Sequence, residues 1–318
     1  MTMMATIAGH PLIEARGITK RYGAFELRNV SFMVEPGEVV GFVGRNGAGK
    51  STTIKALLGL IGLDGGEARV FGMPVGSSEL STSLQKERIG VVLDSLSLPL
   101  HLSVAEVGRL MDFAFDTWDM AVFEGYLVEF GLDGHQELKR LSRGMSMKLG
   151  LACALAHDPE VLILDEATAG LDPMAREEVL DILRAYVAVE DESGNLCHAI
   201  LMSSHITSDL ERIADRVVGI DEGRIVLDCV KDDICDKMGI ARCREADLER
   251  LLELATPDDG LCVLQRDCGI DVMVLDRFGF ASAHPEIPCE RMTIDDYMAF
   301  ILKGSTLKAR DSKGDDRR

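Results

Sequence analysis

The sequence predicts an α/β domain in which a buried, mostly parallel sheet carries a glycine-rich loop. Val39–Val43 is typical of a buried strand, and it leads into a glycine-rich loop followed by a helical pattern. Residues 161–164 form a second apolar run, which ends in the acids Asp165 and Glu166. Between these strands, about residues 95–157 have helical periodicity, which predicts a helical subdomain inserted into the sheet domain.

The glycine-rich loop has the spacing of a P-loop, with Gly44 followed after four residues by Gly49-Lys50-Ser51. Glycines let successive backbone N–H groups turn around an anion, and the following helix points its positive end at the same phosphates. We expect Lys50 to reach the β- and γ-phosphates and the Ser51 hydroxyl to ligate Mg²⁺. The predicted nucleotide-binding residues of the loop are Gly44, Asn46, Gly47, Ala48, Gly49, Lys50, Ser51 and Thr52. This motif alone does not separate a transporter ATPase from a GTPase, a kinase or a helicase.

The acids at residues 165 and 166 follow a predicted central strand, where a sheet delivers side chains to its carboxyl edge. Beside a P-loop, we expect Asp165 to hold Mg²⁺ and Glu166 to act as the general base that orients the attacking water. The alternative is a strand end capped by solvated acids, which is common in proteins.

Further elements flank these motifs. The predicted strands are residues 12–15, 27–34, 65–72, 88–93, 199–202, 216–220 and 224–227, and Pro173–Val187 is a predicted helix. The predicted strand 88–93 ends at Asp94. His205 follows the strand at 199–202, where it could contact a γ-phosphate. Tyr22 lies in a predicted loop between strands and is either a platform for an adenine ring or a packing residue.

The balance of charge limits the classes of partner. The formal net charge is −19, whereas broad contact with DNA, RNA or anionic lipid needs clustered Lys and Arg. We therefore expect no nucleic-acid partner. No run of 18 uninterrupted apolar residues occurs, and the first residues lack the pattern of a secretory signal. We expect a cytoplasmic protein.

Together these motifs resemble the ATP-binding subunit of an ATP-binding cassette (ABC) transporter over residues 12–228. The most specific match is Leu141-Ser142-Arg143-Gly144-Met145-Ser146, which resembles the family's LSGGQ signature. The motifs follow in the family's order: Tyr22, the P-loop, a Q-loop at 93–95, the signature, Asp165-Glu166, a D-loop at 169–172, and the switch histidine His205. The resemblance implies a P-loop NTPase (RecA-like) cassette with the inserted helical subdomain at about 95–157.

Three departures from the family pattern bear on activity. Asp94 replaces the Q-loop glutamine that ligates Mg²⁺ in the family, and an acid also suits a hard cation. Arg143 stands where the signature usually has glycine, and Ala167 stands where a proline usually follows the catalytic glutamate. Since the charged catalytic groups remain, we expect ATP hydrolysis to survive.

The resemblance also implies partners and a mechanism. Two cassettes would pack head to tail, with Ser142 and Gly144 of one contacting, in trans, the ATP held by the other. Lys50, Glu166 and His205 would be the catalytic groups, with Asp172 at the nucleotide and Ser51, Asp165 and Asp94 at Mg²⁺. A separate transmembrane permease would complete the transporter, so the chain would be peripheral on the inner face of the membrane.

The Q-loop with Asp94, the signature that begins Leu141-Ser142-Arg143, and residues 203–211 together resemble the ATPases of bacterial ABC-2-type exporters of drugs or peptides. The alternatives are a soluble ABC ATPase that is not coupled to transport and a degenerate ATP-binding subunit with little turnover. Residues 229–303 lie outside the motifs and predict an accessory α+β extension, with a helix at 232–254 and an amphipathic helix at 293–302. Residues 304–318 predict a flexible tail.

Overall fold

A computed structural model of the 318-residue chain describes residues 10–76, 87–93, 98–254, 261–266 and 269–307. The chain divides into two compact units, Met1–Asp228 and Cys229–Arg318. Among the described residues, no helix combines the length and the apolar character that crossing a membrane requires.

The first unit alternates strands and helices. Its strands are β1 (Ile13–Tyr22), β2 (Phe25–Val34), β3 (Val39–Val43), β4 (Gly65–Val70), β5 (Met73–Pro74), β6 (Ile89–Val92), β7 (Val161–Asp165), β8 (Ala199–Ser203), β9 (Arg216–Asp221) and β10 (Arg224–Val230). Its helices are α1 (Lys50–Leu57), α2 (Val104–Ala114), α3 (Met120–Glu129), α4 (Arg143–Leu155), α5 (Pro173–Val187) and α6 (Thr207–Ile213).

Two sheets form the frame of this unit. One has the strand order β2-β1-β4-β5, and the other has the order β10-β9-β3-β8-β7-β6. In the second sheet, the neighbours from β9 to β6 are parallel. Every residue of β3, β7 and β8 is buried, as expected for central strands covered on both faces. Because these strands are adjacent and parallel, the segments that leave their carboxyl ends lie side by side.

The main core lies between the two sheets and includes α1. Phe32 from β2 stacks on Phe42 from β3, with ring centroids 5.4 Å apart. Ile54 and Leu57 of α1 are also buried in this core. Burying a side chain of this size contributes about 1.5–3 kcal/mol, so α1 is firmly attached directly behind the phosphate loop.

Helices α2, α3 and α4 occupy the region predicted as a helical subdomain. Each begins at a side chain that satisfies free backbone N–H groups, which explains why the sequence starts helices there. Ser103 and Glu106 form a capping box at α2, Asp119 caps α3, and Ser142 caps α4. Phe123 of α3 is buried beside Trp118, with ring centroids 5.2 Å apart.

The second unit is an α+β fold. Its strands are β11 (Gly239–Cys243), β12 (Leu261–Arg266), β13 (Gly269–Val274), β14 (Cys289–Arg291) and β15 (Ser305–Leu307), and its helices are α7 (Glu245–Leu254), α8 (Arg277–Ala283) and α9 (Ile294–Lys303). The strands form one antiparallel sheet in the order β14-β11-β13-β12-β15. A separate apolar core includes Val272 and Leu251.

Three sequence-based expectations need correction. The helix expected at 232–254 is interrupted by β11, because residues 239–243 pair with the distant strands β13 and β14. The start predicted for the flexible tail, residue 304, is too early, because strand β15 (Ser305–Leu307) pairs with β12. Tyr22 lies at the end of β1 and pairs with Phe25 of β2, so it is not in an open loop.

Candidate functional site

The P-loop follows β3 directly and needs glycine at defined positions. Gly49 is the N-cap of α1 and has a φ of 122°, a backbone conformation that residues with a side chain rarely adopt. A Cβ on Gly44 would lie 2.4 Å from the backbone oxygen of Ile220. The loop is therefore held between its own helix and the neighbouring strand β9.

Lys50 is the first residue of α1 and is 6% exposed. Its Nζ donates a hydrogen bond of 2.6 Å to the backbone oxygen of Gly44 and lies 3.9 Å from Oε1 of Glu166. The ammonium group is thus enclosed by the loop and faces the acids that leave β7. This position suits a cation that binds phosphate oxygens.

The two acids at the end of β7 have different surroundings. Asp165 is 5% exposed and pairs in register with Ser203 of β8, whose hydroxyl donates a hydrogen bond of 2.5 Å to Oδ1 of Asp165. Glu166 has a φ of 58°, in the left-handed region that is uncommon for a residue with a side chain. Its backbone N–H donates to the backbone oxygen of Ser203 at 3.1 Å.

His205 follows β8 and meets Glu166 through two contacts. The backbone N–H of His205 donates to Oε2 of Glu166 at 3.3 Å, and Nδ1 contacts the same oxygen. The Glu166 carboxylate therefore lies between the imidazole of His205 and the ammonium group of Lys50. The sheet order β3-β8-β7 brings the three groups together from distant positions in the chain.

These groups line a cavity of about 710 Å³ at the carboxyl edge of the parallel sheet. Nine predicted site residues line it: Asn46, Gly47, Gly49, Lys50, Ser51, Thr52, Asp165, Glu166 and His205. Gly44 is not part of the lining, but its backbone oxygen accepts the hydrogen bond from Lys50. Three residues that sequence reasoning did not place there also line it: Phe25, Arg45 and Arg143.

The aromatic lining of the cavity differs from the expectation. Phe25 lines it, and a Cβ on Gly49 would lie 3.1 Å from the tip of the Phe25 ring. Tyr22 is 46% exposed, lies near Nζ of Lys20 and is not part of the lining. Since Phe25 pairs with Tyr22 across the β1–β2 hairpin, the sequence signal that could have found Phe25 is the hairpin turn at 23–24.

The remaining predicted residues lie outside this cavity. Ala48 is buried in the main core. Ser142 caps α4 by accepting a hydrogen bond of 3.2 Å from the backbone N–H of Met145, and Gly144 is in the first turn of that helix. Asp172 caps α5, and the backbone N–H of Ala175 is the main reason that its carboxyl pKa is lowered.

The oxygen donors in the cavity fit a magnesium ion. Ser51 and Asp165, whose side chains carry a hydroxyl and a carboxylate, both line it, and Mg²⁺ prefers oxygen ligands while keeping several waters. In the described part of the chain, no group of three or more His, Cys, Asp or Glu side chains forms a cage for a metal. Asp94, the third predicted ligand, lies outside the described residues.

Comparisons with known proteins identify the family. The sequence profile of the ABC transporter family matches residues 27–169. The linearmycin resistance ATP-binding protein LnrL of Bacillus subtilis is 30% identical over 235 residues, which are 72% of each chain. The Nod factor export ATP-binding protein I of Burkholderia orbicola is 38% identical over 67% of this chain and 68% of its own length. The daunorubicin/doxorubicin resistance ATP-binding protein DrrA of Streptomyces peucetius is 35% identical over 76% of this chain and 74% of its own.

Solved structures show the same fold. An ATP-binding subunit of an ABC transporter is 29% identical, has a TM-score of 0.61, and matches 70% of this chain and 91% of its own. A dimeric ATP-binding cassette with ADP and Pi bound shares the fold at 20% identity, with a TM-score of 0.60. From the site, the profile and these relatives together, the chain belongs to the ABC transporter family as one of its ATP-binding, ATP-hydrolysing subunits.

Proposed function

We propose that this chain hydrolyses MgATP to power a separate membrane permease, and that the transporter is an exporter. The observation that carries the hydrolytic part is the single cavity that holds Lys50, Asp165, Glu166 and His205. The direction of transport rests on relatives whose names state Nod factor export or resistance to linearmycin or daunorubicin. The membrane subunit would select the transported molecule.

Each side chain has one proposed task in hydrolysis. Lys50 and the loop amides bind the β- and γ-phosphates and offset the charge that develops as the terminal phosphoryl group transfers. Glu166 accepts a proton from the water that attacks the γ-phosphorus, and ADP leaves with the electrons of the broken P–O bond. His205 orients the Glu166 carboxylate through the contact with Oε2.

Ser51 and Asp165 would hold Mg²⁺, and Asp94 stays a predicted third ligand. When bound, the ion neutralises charge on the phosphate oxygens. The short contact from Ser203 to Asp165 leaves the second carboxylate oxygen to serve that role. Ser142 and Gly144 remain proposed contacts to the ATP of a second cassette, and Asp172 remains a proposed nucleotide contact. All three lie outside this chain's own phosphate cavity.

An apolar cavity of about 520 Å³ is the proposed docking site for an amphipathic helix of the permease. It is lined by the carboxyl end of α1, by β6, and by helices α2 and α4. The lining is rich in apolar side chains, including Leu57, Val91, Met111 and Phe115. Since these elements belong to both the sheet and the helical subdomain, a helix seated there would respond to movements between them. This docking would make the chain peripheral on the cytoplasmic face of the membrane.

Phosphate release by the purified chain tests the enzymatic part. The wild type should release phosphate with Mg²⁺ present, and Glu166→Gln should abolish nearly all turnover while nucleotide binding is retained. Wild-type-like turnover by Glu166→Gln would remove Glu166 from its role. Absence of turnover in the wild type would favour a degenerate ATP-binding subunit.

Co-purification tests the transport part. The chain is co-expressed with the product of a neighbouring reading frame that encodes a multispanning membrane protein, and we expect the two to purify together in detergent. Met111→Glu places a charge in the apolar cavity and should break the complex. Val128→Glu, on the exposed face of α3, is the matched control and should not. A complex that survives Met111→Glu would refute this docking site.

A further inference from the structure

We propose that Arg143, in the signature segment, binds the terminal phosphate of the ATP held by its own chain. The family resemblance assigns the signature segment to the nucleotide of the opposite cassette, whereas in the structure Arg143 lines the cavity of its own chain. The proposal rests on the proposed nucleotide site and adds a phosphate-binding residue to it.

The first observation is the position of Arg143 in the cavity. Arg143 lines the same cavity as Lys50, Glu166 and His205, although it begins helix α4 of the helical subdomain. Neighbouring Ser142 and Gly144 do not line that cavity. The segment is thus divided, because Arg143 lines the phosphate cavity of its own chain and its two neighbours do not.

The second observation is the path of the side chain over the D-loop. A Cβ on Gly170 would lie 3.1 Å from Cδ and 3.3 Å from Cγ of Arg143. Gly170 has a φ of 84°, so glycine suits this position both for its conformation and for the space it leaves. The methylene groups of Arg143 therefore lie across the bare backbone of Gly170.

The third observation is that the backbones of the two segments also touch. A Cβ on Gly144 would lie 3.0 Å from the backbone oxygen of Gly170 and 3.3 Å from Leu171. The start of α4 is therefore packed against the D-loop, which follows Glu166 by only a few residues. This packing fixes where the side chain of Arg143, which lines the cavity, begins.

The chemistry of guanidinium suits this place. A planar guanidinium donates two parallel hydrogen bonds to a phosphate, and it stays charged at every physiological pH. The cavity holds the carboxylates of Asp165 and Glu166, so an added cation offsets part of their repulsion toward a triphosphate. Glycine, which the family usually has at this position, cannot supply that charge.

Nucleotide binding by the single chain separates a cis role from a trans role. The probes are the non-hydrolysable analogue AMP-PNP and ADP, each with Mg²⁺, at a protein concentration where light scattering gives the mass of one chain, 34.7 kDa. Arg143→Gln should weaken AMP-PNP binding about five- to tenfold, as expected for loss of a charge-assisted hydrogen bond. ADP binding should change less than about twofold, because ADP lacks the terminal phosphate.

Two matched variants control this experiment. Lys148→Gln removes the same charge from the same helix at the ion pair with Glu178, and it should leave both affinities unchanged. Arg143→Lys keeps a cation and should recover part of the AMP-PNP affinity, which a purely structural role would not predict. Equal AMP-PNP affinity for Arg143→Gln and wild type in the single chain overturns the cis role. Failure of the wild type to bind either nucleotide would instead overturn the proposed function.

Discussion

At the scale of single residues, Glu166 combines an uncommon backbone conformation with contacts to two other residues of the site. Its backbone is left-handed, and its carboxylate contacts His205 and lies 3.9 Å from Nζ of Lys50. Residues held in such conformations cost on the order of 1–3 kcal/mol and persist where the surroundings hold them. The backbone bond to Ser203 and the contact with His205 hold Glu166 here. Its carboxylate is thereby aimed at the position where the γ-phosphate and water would lie.

Lys50→Ala should weaken ATP binding by at least about tenfold, because a buried cation that binds phosphate is lost. Titration with a fluorescent ATP analogue measures the affinity. Lys55→Ala removes an exposed cation from the same helix and is the matched control. Equal affinities for the two variants would contradict the role of Lys50.

Phe25→Ala should weaken ATP binding about tenfold, if the Phe25 ring stacks on the base, since such stacking is worth about 1–3 kcal/mol. Tyr22→Ala should have a much smaller effect, because its exposed side chain is outside the cavity lining. The same titration gives both affinities. A larger loss for Tyr22→Ala than for Phe25→Ala would restore Tyr22 as the adenine platform.

At the scale of secondary-structure elements, His157 joins three segments at one buried ring. It faces the backbone oxygens of Cys153 in α4 at 3.1 Å and of Ile89 in β6 at 3.4 Å. It also stacks on Phe115, at the end of α2, with ring centroids 4.5 Å apart. Burial lowers the pKa of His157, which favours the neutral ring.

The stability of the chain should fall as the pH drops below about 6.5, the ordinary histidine pKa. Below that value the unfolded His157 binds a proton that the folded ring takes up only at lower pH, so acid favours unfolding. Urea unfolding between pH 5 and 7.5 measures the slope of this dependence. His157→Gln should flatten the slope, whereas His101→Gln, at an exposed position, should not. An unchanged slope for His157→Gln would contradict this account.

Local patterns predicted the elements to different degrees. Strand β3 and helix α5 have the predicted bounds, because a continuous apolar run and a proline at the first helical turn are local signals. The prediction over 232–254 was wrong at β11. A run of five residues is too short for its period to be decisive, and β11 is stabilised by strands far along the chain.

At the scale of the whole molecule, two copies of the chain must associate against the electrostatic repulsion between them. Each chain carries a formal net charge of −19, so two copies repel one another at low ionic strength. Bound ATP would bridge the loop of one cassette and the signature of the other. A variant that keeps ATP uncleaved should therefore keep the pair closed.

Glu166→Gln with MgATP should form a dimer, while the wild type should return to single chains as ATP is consumed. Size-exclusion chromatography with light scattering measures the mass. The double variant Glu166→Gln with Lys50→Ala, which binds ATP weakly, should stay a single chain. A Glu166→Gln protein that remains a single chain with ATP would contradict pairing of two copies of this chain and leave pairing with a different cassette.

By itself, the sequence determined the chemical groups of this protein: the phosphate loop, the paired acids and the helix that follows the loop. These are local, because a strand, a turn and a helix N-terminus depend on neighbouring residues. The family resemblance implied that Lys50, Glu166 and His205 share one site, but only the tertiary structure decided the contacts between them and the other side chains of the cavity. The order β3-β8-β7 brings His205 to Glu166, the β1–β2 hairpin supplies Phe25 instead of Tyr22, and the packing of α4 on Gly170 adds Arg143. Such neighbours arise from sheet order and packing between elements, which no local pattern encodes.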